Sequence, residues 1–116
     1  MIYVGCPYTF TEGKSDEDKT ATEWNEHIRN ARYEATAQLC VRLLEKDKQP
    51  FSPIVHWHDP ARLFSLPKKA DLWEPYNRSM LRESDSLYIY ALPGYGNSHG
   101  LKMERAFAEE IDLNTR

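Results

Sequence analysis

The stretch of sequence that decides the fold is Leu87-Tyr-Ile-Tyr-Ala-Leu-Pro-Gly-Tyr-Gly-Asn-Ser-His-Gly-Leu-Lys-Met-Glu104. Its first six residues are an apolar run that predicts a buried strand, and the apolar spacing over residues 99–111 predicts an amphipathic helix. At such a junction the backbone can approach a ligand closely, and the free N–H groups at the start of the helix attract anions. We therefore expect a ligand site here, with Gly94, Ser98 and Gly100 among the binding residues.

One carboxylate interrupts the apolar face of this predicted helix. At helical spacing, Glu104 shares a face with Leu101, Ala108 and Ile111. A buried carboxylate is costly unless it is partnered or used in chemistry, which makes such groups candidates for functional sites. Glu104 is therefore the first candidate for a catalytic residue, and the alternative is a salt bridge to an arginine or lysine at the helix edge.

The rest of the chain is predicted to alternate strands and helices. The predicted elements are a strand at 2–4, a long helix at 22–46, a strand at 51–55, a loop-rich segment at 56–69 and a helix from 72 or 75 to 84. Ala31 and Ala35 suit close packing of the long helix on a sheet. The order predicts a three-layer α/β sandwich with a parallel sheet, as in flavodoxin-like and Rossmann-like domains.

The carboxyl ends of the predicted strands gather the candidate binding residues. In parallel α/β sheets, ligands bind beyond these ends. The segments expected there are 5–9, 52–59 and 93–98. They contribute Gly5, Tyr8, Pro53 and His56 to the same edge as the glycine-rich turn, so the fold and the candidate site agree.

Composition favours one small globular domain without a nucleic-acid or membrane surface. The chain has 116 residues, which we assign to a single domain at 1–116, and its net charge of -3 argues against nucleic acid as a partner. No apolar run approaches the roughly 18 residues of a membrane span, and no signal peptide is predicted at the start. Cys6 and Cys40 form no CxxC motif and are interpreted as reduced thiols. We expect a cytoplasmic protein.

Several motifs resemble those of the nucleoside 2-deoxyribosyltransferase-like superfamily, which includes deoxynucleoside 5′-monophosphate N-glycosidases and CMP hydrolases. The matching segments are Ile2-Tyr-Val-Gly-Cys-Pro-Tyr8, Phe51-Ser-Pro53, Tyr76-Asn77 with Ser84-Asp85, and Gly94-Tyr-Gly-Asn-Ser-His-Gly-Leu-Lys-Met-Glu104 followed by Ala108. The resemblance covers nearly the whole chain, and its most specific part is Ser98 with Glu104. It implies a deoxyribosyltransferase-like domain that acts on a nucleoside or nucleotide, and we expect it to need neither a cofactor nor a metal.

The resemblance implies roles for three residues. In the family, the glutamate at the Glu104 position attacks the anomeric carbon of a (deoxy)ribosyl group, and water or another base resolves the glycosyl-enzyme. A serine at the Ser98 position helps bind the 5′-phosphate in the monophosphate-cleaving members. An aspartate that handles the base aligns with Asn77, which can hydrogen-bond a base edge but cannot act as an acid. We also expect the chain to lack the further strand that many family members carry after the last helix.

The sequence leaves alternatives open. The same pocket would serve a non-catalytic nucleotide-binding or sensing module, an interpretation that Asn77 supports. The motif His56-Trp57-His58-Asp59 suits a metal if it is extended, or contact with a base instead. Cys6 as a nucleophile would need an activating base, and none is identified. Because family sites are commonly completed across a subunit interface, we expect a homodimer or higher homo-oligomer.

Overall fold

The computed structural model of the protein describes residues 1–7, 19–66, 70–92 and 98–115. Strands and helices alternate along this part of the chain. The elements are β1 (Ile2–Gly5), α1 (Lys19–Glu45), β2 (Pro50–Phe51), α2 (Pro53–Leu63), α3 (Ala70–Arg82), β3 (Ser86–Ile89), α4 (His99–Glu110) and β4 (Asn114–Thr115).

The strands form one parallel sheet in the order β2-β1-β3-β4. The two central strands, β1 and β3, pair over four residues, from Ile2 with Ser86 to Gly5 with Ile89. Helical crossovers between parallel strands cover the faces of such a sheet. The predicted three-layer α/β sandwich with a parallel sheet is confirmed.

The core lies between one face of the sheet and the helices α3 and α4. Tyr3 and Leu87 are register partners on β1 and β3, and both are fully buried. They pack with Leu81 of α3 and with Phe107 and Ala108 of α4. Side chains alternate along a strand, so Gly5 faces the same side as Tyr3, toward α4.

The opposite face of the sheet is covered by α1. Val4 points to this face and is fully buried. Cys6, just beyond β1, lies 3.0 Å from the hydroxyl of Thr36 on α1. Thr36 therefore marks the level at which α1 passes the carboxyl end of the sheet.

The prediction of a strand at 51–55 followed by a loop at 56–69 is wrong. The strand is limited to β2, and α2 begins at Pro53. Ser52 is the N-cap, since its hydroxyl accepts a hydrogen bond from the Val55 N–H at 3.2 Å, and Pro53 occupies the first turn. A serine N-cap followed by proline is a strong start signal for a helix, and here it overrides the strand preference of the apolar residues that follow.

The expectation that the chain ends without a further strand is also wrong. β4 pairs in parallel with β3, Asn114 with Ser86 and Thr115 with Leu87. The chain turns back after α4 because Asp112 adopts a left-handed conformation with φ of 57°. Aspartate tolerates this conformation better than most residues.

The inward face of α1 differs from the predicted alanine face. Ala31 is exposed and Ala35 is half-buried. The buried side chains of the described part of α1 are Arg29, Arg32, Thr36 and Leu39. They recur at helical spacing, but three of the four are polar, so a search for an apolar stripe passes over them.

Candidate active site

The local structure of α4 places Glu104 in the interior. The helix starts at the predicted residue because the Ser98 hydroxyl accepts a hydrogen bond from the Leu101 N–H at 3.2 Å. Leu101, Glu104 and Ala108 then fall on one buried face, as predicted, whereas Ile111 caps the helix and is exposed. The side chain of Glu104 is only 6% exposed.

Gly5 brings the backbone of β1 against this carboxylate. A β-carbon placed on Gly5 would lie 3.0 Å from Cδ2 of Leu101 and 3.6 Å from Oε1 of Glu104. The carboxylate therefore lies over the last residue of a central strand, at the edge where parallel α/β sheets bind ligands. Gly100 is different: the nearest atom to a β-carbon there is Oγ of Ser98, 4.0 Å away.

The buried position of Glu104 favours the protonated form of its carboxyl group more than water does. Burial raises the pKa of Glu104 to about 7, and the hydroxyl of Tyr3 opposes this shift by a smaller amount. That hydroxyl is buried and forms no hydrogen bond of standard geometry with any described residue. At neutral pH both the protonated and the ionised form of the carboxyl group are therefore populated, and a bound ligand can change their proportions.

Cys6 is held as a protonated thiol. The Thr36 hydroxyl donates its proton to the Arg32 carbonyl at 2.7 Å, so the contact between Cys6 and Thr36 has the thiol as donor. Burial raises the pKa of Cys6 to about 12, and the Glu104 carboxylate also acts in that direction. Cys6 is not suited to nucleophilic attack.

Two buried arginines on α1 approach the same edge of the sheet. Arg29 is 6% exposed and Arg32 is 9% exposed. Arg32 is close enough to Cys6 for its charge to lower the thiol pKa, and burial lowers the pKa of Arg32 itself. These arginines are not among the site residues predicted from the sequence. The available signal was their spacing of three, followed by Thr36 four residues on.

Aromatic side chains from α2 and α3 form a cluster near Tyr3, which we call the aromatic wall. The ring of Trp57 lies 5.7 Å from the rings of both Trp73 and Tyr76. Tyr76 in turn is close enough to Tyr3 to raise the Tyr3 pKa. Two buried polar atoms in this region, Nε1 of Trp57 and Oδ1 of Asn77, have no hydrogen-bond partner among the described residues. Buried polar atoms are normally paired, so these two are candidates to bind a ligand.

The motif around His56 is helical, which changes its interpretation. Two residues apart on a helix, His56 and His58 point in different directions: His56 is exposed and His58 is buried. His58 stacks on Tyr33 with ring centroids 4.2 Å apart, and burial lowers its pKa. The two histidines would face one metal only on an extended segment, and this segment is helical. The described residues contain no group of three or more metal-ligating side chains.

The predicted site residues fall into three groups. Gly5 and Glu104 are brought together, and Ser98 and Gly100 belong to the first turn of the same helix as Glu104. Pro53 starts α2, His56 lies exposed on it, and Asn77 belongs to α3. Tyr8 and Gly94 lie outside the described residues.

Asp85 lies at the opposite edge of the sheet from Glu104. Its carboxylate is 2.5 Å from the amino group of Met1, which lowers the pKa of Asp85. Its backbone N–H also donates to the Met1 carbonyl at 2.8 Å. Because both residues precede the amino ends of their strands, Asp85 supports the fold and not the site.

Comparison with known proteins adds a family but no activity. Within the described residues, no helix is long and apolar enough to cross a membrane. A search of curated proteins finds no match to the chain. Residues 1–114 match the model of a family described as Domain of unknown function (DUF1937), and the protein is therefore a member of that family.

Proposed function

We propose that the protein is an N-glycosidase that cleaves the bond between base and sugar in a (deoxy)nucleoside 5′-monophosphate, or that carries out the related deoxyribosyl transfer. The observation that carries the proposal is the Glu104 carboxylate, buried against Gly5 at the carboxyl end of β1. The resemblance of residues 94–104 to the deoxyribosyltransferase-like superfamily supports the same chemistry.

In the proposed reaction, an oxygen of ionised Glu104 attacks C1′ of the sugar. The C1′–N bond breaks, and the base leaves with the bonding electrons and takes up a proton from solvent. Water then attacks C1′ of the glycosyl ester and gives a proton to solvent, which releases the sugar phosphate and restores the carboxylate. In transfer, a second base replaces the water. Neither step needs a cofactor.

The environment of Glu104 suits a nucleophile. A carboxylate that is removed from water is less stabilised than a solvated one and is more reactive when ionised. The Tyr3 hydroxyl acts on the carboxylate directly and favours its anion. Burial also keeps bulk water away from C1′ during the first step.

The aromatic wall gives the base a surface against which to pack. Trp57, Trp73 and Tyr76 supply flat faces, and base–aromatic contact is favourable for any base. The unpaired Oδ1 of Asn77 would accept a hydrogen bond from a base N–H. Under the proposal, Asn77 binds the base of the substrate.

A second candidate function is a nucleotide-binding or sensing module on the same scaffold. The observation that favours it is Asn77 itself, since an amide cannot protonate the departing base. Under this alternative the site and its ligand class are the same, but Glu104 binds the sugar without attacking it.

Base release separates the two candidates. The protein is incubated with a panel of ribonucleoside and deoxynucleoside monophosphates, and free base is measured by chromatography. We expect release from at least one of them, abolished in Glu104→Gln and retained in Glu109→Gln, an exposed carboxylate on the same helix. Binding of a nucleotide without release of base by the wild type would favour the binding module.

The proposed enzyme fits a cytoplasmic setting. Its nucleotide substrates are intracellular metabolites. Cys6 and Cys40 are both free thiols, which is usual where the cell keeps cysteines reduced.

A further inference from the structure

The long helix α1 extends past the sheet on the side where ligands bind. It follows β1, so it runs from the carboxyl edge of the sheet back toward the amino edge. Thr36 lies level with Cys6, at the end of β1. Arg29 precedes Thr36 by seven residues, or about 10 Å along the helix axis. It is therefore beyond the carboxyl ends of the strands, on the inward face of the helix.

Arg29 is a buried cation with an unused donor. It is only 6% exposed, and its Nη1 has no hydrogen-bond partner among the described residues. It forms no salt bridge with a described carboxylate, unlike Arg62, which lies 3.4 Å from Asp59. A buried charge without a paired counter-charge is costly, and no described residue supplies an anion in contact with Arg29. A bound anion would lower this cost.

Two described carboxylates, Glu26 and Asp59, act on the same His58 as Arg29 does, but neither forms a salt bridge with Arg29. His58 is near enough for the positive charge of Arg29 to lower the histidine pKa, an effect that adds to burial. An uncharged imidazole supplies no negative charge. Arg32, one turn further along α1, adds a second guanidinium on the same inward face.

We propose that Arg29 binds the phosphate monoester of the nucleotide, with Arg32 beside it, at the carboxyl edge of the sheet. This inference rests on the proposed function for its substrate class. A planar guanidinium offers paired N–H donors that match two phosphate oxygens, and it stays charged when buried. Cys6 lies within electrostatic range of both Arg32 and Glu104, so the phosphate and the sugar of one nucleotide would occupy neighbouring positions.

The test compares ligands with and without phosphate. Arg29→Met is made in the Glu104→Gln background, so that no ligand is cleaved, and dissociation constants are measured by calorimetry for a nucleoside monophosphate and its nucleoside. We expect the monophosphate to bind roughly 10- to 150-fold more weakly, and the nucleoside to be unaffected. The matched control is Arg42→Met, an exposed arginine in the last turn of α1, which should change neither value.

Two further measurements separate recognition from support of the fold. Without ligand, the melting temperature of Arg29→Met should be unchanged or higher, because the substitution removes an unpaired buried charge. Inorganic phosphate should raise the melting temperature of the wild type but not of Arg29→Met. Arg29→Lys, which keeps the charge but loses the paired donors, should retain part of the preference for the monophosphate.

Equal weakening of monophosphate and nucleoside binding, or no weakening of either, would overturn the assignment. So would failure of Arg29→Met to fold together with an Arg29→Lys protein that keeps the full preference for the monophosphate. The outcome is independent of catalysis. If phosphate binding depends on Arg29 but the wild type releases no base, the proposed glycosidase activity fails and the anion site stands. If base is released at the same rate with and without Arg29, the anion site fails and the glycosidase activity stands.

Discussion

At the scale of single residues, Glu104 combines deep burial with a pKa close to neutrality. Because burial raises that pKa to about 7, the fraction of the anion rises as the pH increases through this value. The opposing effect of Tyr3 shows that the local hydroxyl favours ionisation. The pKa of Glu104 thus depends both on its burial and on the Tyr3 hydroxyl.

This titration predicts the pH dependence of activity. If ionised Glu104 is the nucleophile, kcat/KM should fall as the pH drops below about 7 and approach a plateau above it, since kcat/KM reports groups of the free enzyme. Initial rates of base release at low substrate, from pH 5 to 9, give the profile. The 5′-phosphate of the substrate has its own second pKa of about 6, so the matching nucleoside serves as a control. A rate that rises toward acid pH would show that the protonated form is active.

Gly5 and Gly100 make a matched pair of glycines. A methyl group at Gly5 meets Leu101 at 3.0 Å and Glu104 at 3.6 Å, whereas the nearest atom to one at Gly100 is 4.0 Å away. We expect Gly5→Ala to reduce the free energy of unfolding by about 1–3 kcal/mol through overpacking, and to reduce base release by displacing Glu104. Gly100→Ala should be neutral or stabilising by up to about 1 kcal/mol, because alanine favours the helix. Denaturant unfolding measures both, and equal effects would contradict the close approach at Gly5.

At the scale of elements, the start of α4 combines a structural and a binding role. The Ser98 hydroxyl caps the helix, and the resemblance implies phosphate contact at the same residue. Ser98 and Arg29 would then bind one phosphate from helices on opposite faces of the sheet. Aspartate and asparagine are both good N-caps, so either preserves the helix. The two substitutions differ in the charge that they place beside the ligand.

We expect Ser98→Asp to weaken binding of a nucleoside monophosphate more than binding of the nucleoside, because two negative charges then lie close together. Ser98→Asn, which is neutral, is the control and should change both affinities equally. Calorimetry on both ligands checks the prediction. If Ser98→Asp weakens both ligands to the same extent, the phosphate does not lie at this helix end.

The elements that the sequence predicted are those with a single dominant signal. The start of α4 was predictable because Ser98, Leu101 and Ala108 agree on the cap and on the buried face. The helix α2 was not predicted because the apolar residues after Pro53 also suit a strand. The Ser52 cap favours the helix through a hydrogen bond with the Val55 N–H, which the sequence alone does not show. The inward arginines of α1 were missed because arginine usually marks the solvent face, and burial of Arg29 depends on contacts that are distant in sequence.

At the scale of the whole molecule, two helices leave apolar side chains exposed. The end of α2 exposes Leu63 and Phe64, at 64% and 76%, and the start of α3 exposes Leu72 at 46%. Exposed apolar groups of this kind are typical of surfaces that bind another protein. Trp57 and Trp73 of the same two helices pack against each other, with ring centroids 5.7 Å apart.

We expect a homodimer or a higher homo-oligomer whose interface includes Phe64. Light scattering at micromolar concentration should give at least twice the chain mass of 13.6 kDa. Phe64→Ser should shift the mass toward the monomer, while Leu44→Ser, which alters a leucine on α1 that is 65% exposed, should not. A monomer mass for the wild type would contradict the prediction.

The central claim is that Glu104 forms a covalent bond with the sugar, and trapping that bond tests it most directly. A nucleotide analogue with fluorine at the 2′ carbon slows the second step more than the first, so the glycosyl-enzyme should accumulate. Peptide mass spectrometry of the wild-type protein should then find the added sugar phosphate on Glu104, and Glu104→Gln should carry none. An adduct on another residue, or rapid base release from the natural substrate by Glu104→Gln, would contradict the account.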